Sequence, residues 1–174
     1  ISIWIFVEGY LFSLKRWYII DKIPSSLEKY LILFSSDLDS SVKEKKMTKL
    51  IIDAADKVIF LMLIINNKTY SITHENSKIN YEKLTILIND FLNSNNLVIK
   101  DIKKIYVNRG PGSFAGIRNS LSIIKAFKIT NYIDYYCYSF EDFKDEKNIK
   151  YANVPNLCDK FKIEKNLINP KYMG

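Results

Sequence analysis

The chain has 174 residues, 48% of them apolar, 26% charged and 14% aromatic, and its net charge is +7. That is enough length and apolar content for one ordinary domain with a real core, which excludes a disordered segment. One histidine, His74, and two cysteines, Cys137 and Cys158, exclude a histidine-built zinc site and a disulfide framework. Two reduced thiols fit a cytoplasmic protein. The lysines are scattered and no basic run exceeds the KEKK of Lys43 to Lys46, so the charge reads first as compositional bias.

The first 46 residues stand apart. They hold both tryptophans, Trp4 and Trp17, and no asparagine, whereas 16 asparagines follow from Met47 onward. The expectation is a leading segment, 1–46, that is non-native or mis-started, with Met47 as the true start. The competing reading is a short added segment, helical or irregular. Its opening run, ISIWIFVEGYLFSL, carries Glu8 near its middle and is too short to span a bilayer. It also lacks the basic start and small-residue cleavage site of a signal peptide, so no membrane attachment is expected.

From Met47 the elements follow in order. KLIID, Lys49 to Asp53, is a short apolar strand ending in a carboxylate. VIFLMLII, Val58 to Ile65, is a central strand covered on both faces. Asn66 and Asn67 make the turn, and KTYSITH, Lys68 to His74, closes a three-stranded meander. Tyr81, Leu84, Leu87, Ile88, Phe91 and Leu92 recur at helical spacing, with Asn80 as N-cap, predicting a helix over about Asn80–Asn93. IKKIYV, Ile102 to Val107, is a strand. Ile117, Leu121, Ile124 and Phe127 predict a second helix, about Ser113–Lys128. YIDYYCYSF, Tyr132 to Phe140, is an aromatic strand, and KYANV a candidate for one more. The order β-β-β-α-β-α-β predicts a mixed sheet covered by helices, in the α/β class.

Between the fourth strand and the second helix lies the string RGPGSFAGIR. Three of the five glycines fall here, Gly110, Gly112 and Gly116. A strand leading through such a loop into a helix offers free backbone N–H groups to an anion. The two familiar phosphate loops do not fit: Ile117 and Arg118, not Lys and Ser or Thr, follow the last glycine, and the glycine spacing is not the dinucleotide one. The alternative is a tight turn that packs the helix close to its strand. Arg109 and Arg118 flank the loop as anion grips or solvated side chains. Ser113 lacks a nucleophile's context and is a helix cap or backbone ligand. Asp53 is the one suggestive carboxylate, either facing a metal-nucleotide or bracing a loop.

GPGSFAGIR resembles the signature G-P-G-S-F-T-G-x-R of the TsaB (YeaZ) family, small paralogues of the TsaD (Kae1-like, Gcp) family in tRNA threonylcarbamoyladenosine synthesis. Ala115 stands where Thr is usual. LIIDAAD, YEKL and YYCYSFEDF stand where that family has its opening strand, first helix and later strand-to-helix step, and LINPKYMG resembles its closing pattern more loosely. The resemblance implies an actin-like ATPase (ASKHA, ribonuclease H-like) lobe over 47–143, with 144–174 the remnant of a strongly shortened second lobe. Ala54 and Ala55 replace the family's Thr and Ser, which removes hydroxyls from the strand end. TsaD proteins carry a His-x-x-x-His ligand pair that His74 alone cannot supply, so neither a metal site nor the family's peptidase label finds a chemical basis here.

The implied role is a non-catalytic partner of TsaD, with TsaE assisting and tRNA met through the complex, in modification of an adenosine of ANN-decoding tRNAs. The expected partner face is Tyr81, Leu84, Ile88, Ile117, Leu121 and Ile124, against the alternative that these fill the chain's own core. The same helices could form a homodimer. No cofactor of its own is expected, and ATP or ADP could sit at the interface with TsaD, touching the loop of Arg109, Gly110, Pro111, Gly112, Ser113, Phe114, Gly116 and Arg118. The other readings are an independent phosphate-binding hydrolase or kinase using the Gly110–Gly116 loop and, last, direct tRNA binding.

Overall fold

The structure, a computed structural model, describes residues 3–7, 10–14, 47–144 and 146–172. The chain divides into two compact units, 1–45 and 46–174. Of the first, the described residues are two strands, β1 (Ile3–Val7) and β2 (Tyr10–Leu14), paired antiparallel from Ile3–Leu14 to Val7–Tyr10. An antiparallel strand pair thus stands where helical or irregular structure was one expectation; the rest of that segment lies outside the described residues.

The second unit holds a five-stranded sheet. Its strands are β3 (Thr48–Asp53), β4 (Val58–Ile65), β5 (Lys68–Glu75), β6 (Lys104–Asn108) and β7 (Asp134–Tyr138), in the spatial order β5-β4-β3-β6-β7. β3, β4 and β5 form the antiparallel meander, and β3, β6 and β7 run parallel. The hairpin turn falls at Asn66, whose φ of 54° is a left-handed value that asparagine accepts readily. Parallel strands need crossovers. α1 (Lys78–Glu82) and α2 (Leu84–Ser94) carry the chain from β5 to β6, and α3 (Phe114–Asn131) carries it from β6 to β7.

Alternation sorts the side chains. Leu50, Ile52, Ile59, Leu61, Leu63, Ile105 and Val107 point to the face covered by α1–α3 and are fully buried. Ile51, Tyr106 and Tyr138 point to the other, where Phe143, Val154, Leu157 and Cys158 cover them. Those last three belong to α4 (Val154–Lys160). Residues 149–163, within the segment read from sequence as the remnant of a second lobe, therefore pack onto this same sheet. KYANV is a 3-10 turn, Tyr151–Asn153, not a strand. The first helix is capped by Ser77, whose hydroxyl accepts the Asn80 N–H at 3.3 Å; Asn80 lies inside the helix and its amide donates to the Glu75 carbonyl. No helix among the described residues is long and apolar enough to cross a membrane.

Candidate functional site

The C-terminal ends of β3 and β6 lie side by side, because the parallel register pairs Ile52 with Val107. The next residues, Asp53 and Asn108, are therefore abreast. Asn108 Nδ2 donates to Asp53 Oδ2 at 2.9 Å, and Asn108 Oδ1 accepts the Gly110 N–H at 3.0 Å. Asp53 Oδ1 accepts the Ala55 N–H at 3.0 Å, and Tyr151 donates its hydroxyl to Oδ2 at 2.8 Å. The carboxylate is wholly buried. Tyr151 reaches it with its ring stacked on Phe60 at 4.1 Å and edge-on to Phe140. Burial first, then the Asp53 charge, push the Tyr151 phenol far above its ordinary range, so it stays a proton donor to the carboxylate.

The resemblance to actin-like lobes implies a metal-nucleotide near such a strand end. The residues here do not fit one. Both Asp53 oxygens already accept hydrogen bonds from the chain, one of them from the Tyr151 hydroxyl, and the side chains of Ala54 and Ala55 bring no oxygen ligand. Asp53 braces the ends of two strands and the 3-10 turn at Tyr151.

What comes close to the glycines is the chain's own backbone. A Cβ on Gly112 would fall on the Ala55 carbonyl oxygen, and one on Gly116 on that of Ala54. The absence of both side chains lets α3 start directly against the end of β3. Ser113 sits between them: its N–H donates to the Ala55 carbonyl at 2.8 Å, and its hydroxyl accepts from the Gly116 N–H and from Tyr81. It caps α3, as its position predicts. Gly110 has a φ of +98°, and its peptide with Pro111 is cis. The carbonyl of Lys171 occupies the space that a Gly110 side chain would need.

The two arginines part company. Arg109 is mostly buried and binds Asp142 through Nη2 at 2.8 and 3.1 Å, while Nη1 donates to the Asn169 carbonyl. It ties the 3-10 turn Phe140–Phe143 and the C-terminal tail to the loop and is not an anion grip. No local pattern announces this pairing, because Asp142 is 33 residues away and Asn169 60. The tail is further held by Lys171, whose N–H donates to the Arg109 carbonyl and whose ammonium pairs with Glu141 and Asp142. Arg118 is exposed, with no salt bridge or side-chain hydrogen bond among the described residues.

The expected partner face is turned inward. Tyr81, Leu84, Ile88, Ile117, Leu121 and Ile124 are all buried in the molecule's own core. Helical periodicity marks which side of a helix is buried, not what buries it. The large apolar side chains that these helices leave outward are Ile79, Ile86, Phe114 and Ile129, each more than half exposed. Both thiols are buried, which pushes Cys137 and Cys158 up to about 12. Burial thus favours the neutral thiol at both positions, the less nucleophilic form.

A mixed five-stranded sheet of this order, with α1–α3 on one face, defines an α/β lobe of the actin-like, ribonuclease H-like class. Residues 64–137 match the family model "TsaD: tRNA N6-adenosine threonylcarbamoyltransferase", a segment that contains the whole glycine loop. In fold the chain is YeaZ-like: YeaZ from Pseudomonas aeruginosa superposes with a TM-score of 0.50 at 18% identity, covering 53% of this chain and 43% of that one. A second structure, that of a protein with similarity to peptidase YeaZ from Pseudomonas aeruginosa, gives the same values. The chain thus spans less than half the length of the YeaZ chains it matches. No curated protein matches it by sequence.

Proposed function

We propose that the chain is a TsaB-like, non-catalytic partner of TsaD in a tRNA N6-adenosine threonylcarbamoyltransferase complex, with TsaE as the assisting ATPase and tRNA met through the assembly. One observation carries this reading: the two features that could have served nucleotide chemistry, the glycine loop and Asp53, are occupied by the chain's own groups. Gly110, Gly112 and Gly116 receive the carbonyls of Lys171, Ala55 and Ala54, and Asp53 receives Ala55, Asn108 and Tyr151. A lobe so closed contributes shape. An ATP or ADP at the shared boundary would take its ligands from TsaD, and the outward Ile79, Ile86 and Ile129 are the side chains to meet that partner. The same residues would serve a homodimer, and a cytoplasmic setting follows from the tRNA substrate.

Co-expression of the full chain with TsaD from the same source, followed by size-exclusion chromatography, tests the reading. Co-elution that is lost in Ile86→Asp is the expected result. A folded chain that elutes alone would overturn it, as would ATP turnover by the isolated chain.

A further inference from the structure

The outer side of α3 carries a feature that the partner reading does not use. Phe114, Arg118, Ser122 and Lys125 recur at helical spacing and form one stripe. The returning tail lies beside it, so that Arg118, Ser122, Lys125, Pro170 and Tyr172 line a groove of about 230 Å³ with no acidic residue in its wall. Neither Arg118 nor Lys125 has a side-chain hydrogen bond or ion pair among the described residues. This is unlike the neighbouring Arg109, Lys128 and Lys171, each matched to a carboxylate. At one end the rings of Phe114 and Tyr172 meet at 4.9 Å, yet stay 57% and 45% exposed.

We infer that this groove binds single-stranded RNA, with Arg118 and Lys125 on the phosphodiester backbone and a base stacked on the Tyr172–Phe114 pair. Seven residues of helix separate the two cations by about 10 Å along the axis, so they touch different points of an extended strand. Unpaired cations beside an exposed aromatic pair are the combination that single strands use: charge follows the backbone, and a ring accepts any base. An acidic peptide would use the cations and leave the rings idle. The site rests on the groove alone and does not need TsaD.

The test is fluorescence anisotropy of the full chain with a labelled, mixed-sequence oligoribonucleotide of about a dozen nucleotides, across a salt series. Expected is binding that weakens with salt, with a slope that falls by about 0.7 for each of Arg118→Gln and Lys125→Gln. Tyr172→Ala should weaken binding about fivefold or more while leaving the slope unchanged. Lys57→Gln, an exposed lysine in the β3–β4 turn, should change nothing. No binding at low salt overturns the inference, as does a Lys57→Gln loss equal to that of Arg118→Gln. A silent Tyr172→Ala together with equal competition by polyglutamate makes the groove a bare polyanion patch and also overturns it. Equal competition by ATP assigns it to free nucleotides instead of RNA. Each of these readings stands apart from TsaD co-elution, so the two proposals fail separately.

Discussion

The helix-covered face of the sheet is mainly aliphatic, with Leu50, Ile52, Leu61, Leu63, Ile105 and Val107 meeting Leu84, Ile88, Ile117 and Ile124, and Tyr135 its one buried ring on a strand. The opposite face carries Tyr106, Tyr138, Phe143 and the Tyr151–Asp53–Asn108 cluster, covered by 3-10 turns and the seven-residue α4. The first face is held by burial of methyl and methylene groups, which have no directional preference, and by the close seating of α3. The second is held by rings and a few aimed hydrogen bonds. A substitution on the first is therefore a question of volume, and one on the second a question of which polar atom loses its partner.

The seating of α3 against the end of β3 holds the first face, and Gly116→Val should break it most severely. The valine Cβ would fall on the Ala54 carbonyl oxygen, and backbone cannot turn aside as a long side chain can. The helix must lift from the sheet. We expect a loss of about 3 kcal/mol or more, read as a drop in the urea midpoint.

On the second face two tyrosines give opposite outcomes. Tyr151→Phe removes a hydroxyl that donates to the buried Asp53 carboxylate, and should cost about 1.5–3 kcal/mol in the same urea titration. Tyr138→Phe removes a hydroxyl that is fully buried and has no partner among the described residues, and should be neutral or stabilising by about 1 kcal/mol. Equal effects of the two substitutions would show that ring packing, not hydrogen bonding, governs this face.

The same division explains what could be read from the residues. Val58–Ile65 is a strand with the bounds its apolar run predicts, and Ser113 caps the helix its position announces. Both are local signals. The second face has no period to read. KYANV alternates enough to look like a strand, yet it folds as a 3-10 turn whose Tyr151 bonds Asp53, 98 residues away. Arg109 looked free for an anion because Asp142 and Asn169 reach it only through the tertiary fold. Leu84 and Ile88 looked available to a partner because the sheet that buries them is assembled from distant strands.

The smallest expected effect lies at the rim, at the start of β7. Asp134 accepts hydrogen bonds from Lys128, Asn166 and Lys165, joining the end of α3 to the tail. The Lys128 bond first, and the Asn166 bond second, hold its carboxyl well below the usual carboxylate range. A carboxylate whose folded pKa is depressed contributes stability that is present above its unfolded value, about 3.9. That contribution is lost as pH falls from there through the lower folded value. Asp134→Asn should therefore lie below the wild type in thermal stability at neutral pH and converge with it under acid. The gap should shrink in high salt, because the pair is about one-third exposed on both sides and solvent screens it. A gap that stays constant from neutral to strongly acid pH would mean that the Asn166 and Lys165 contacts act by shape, and that charge at this rim contributes nothing to holding the tail.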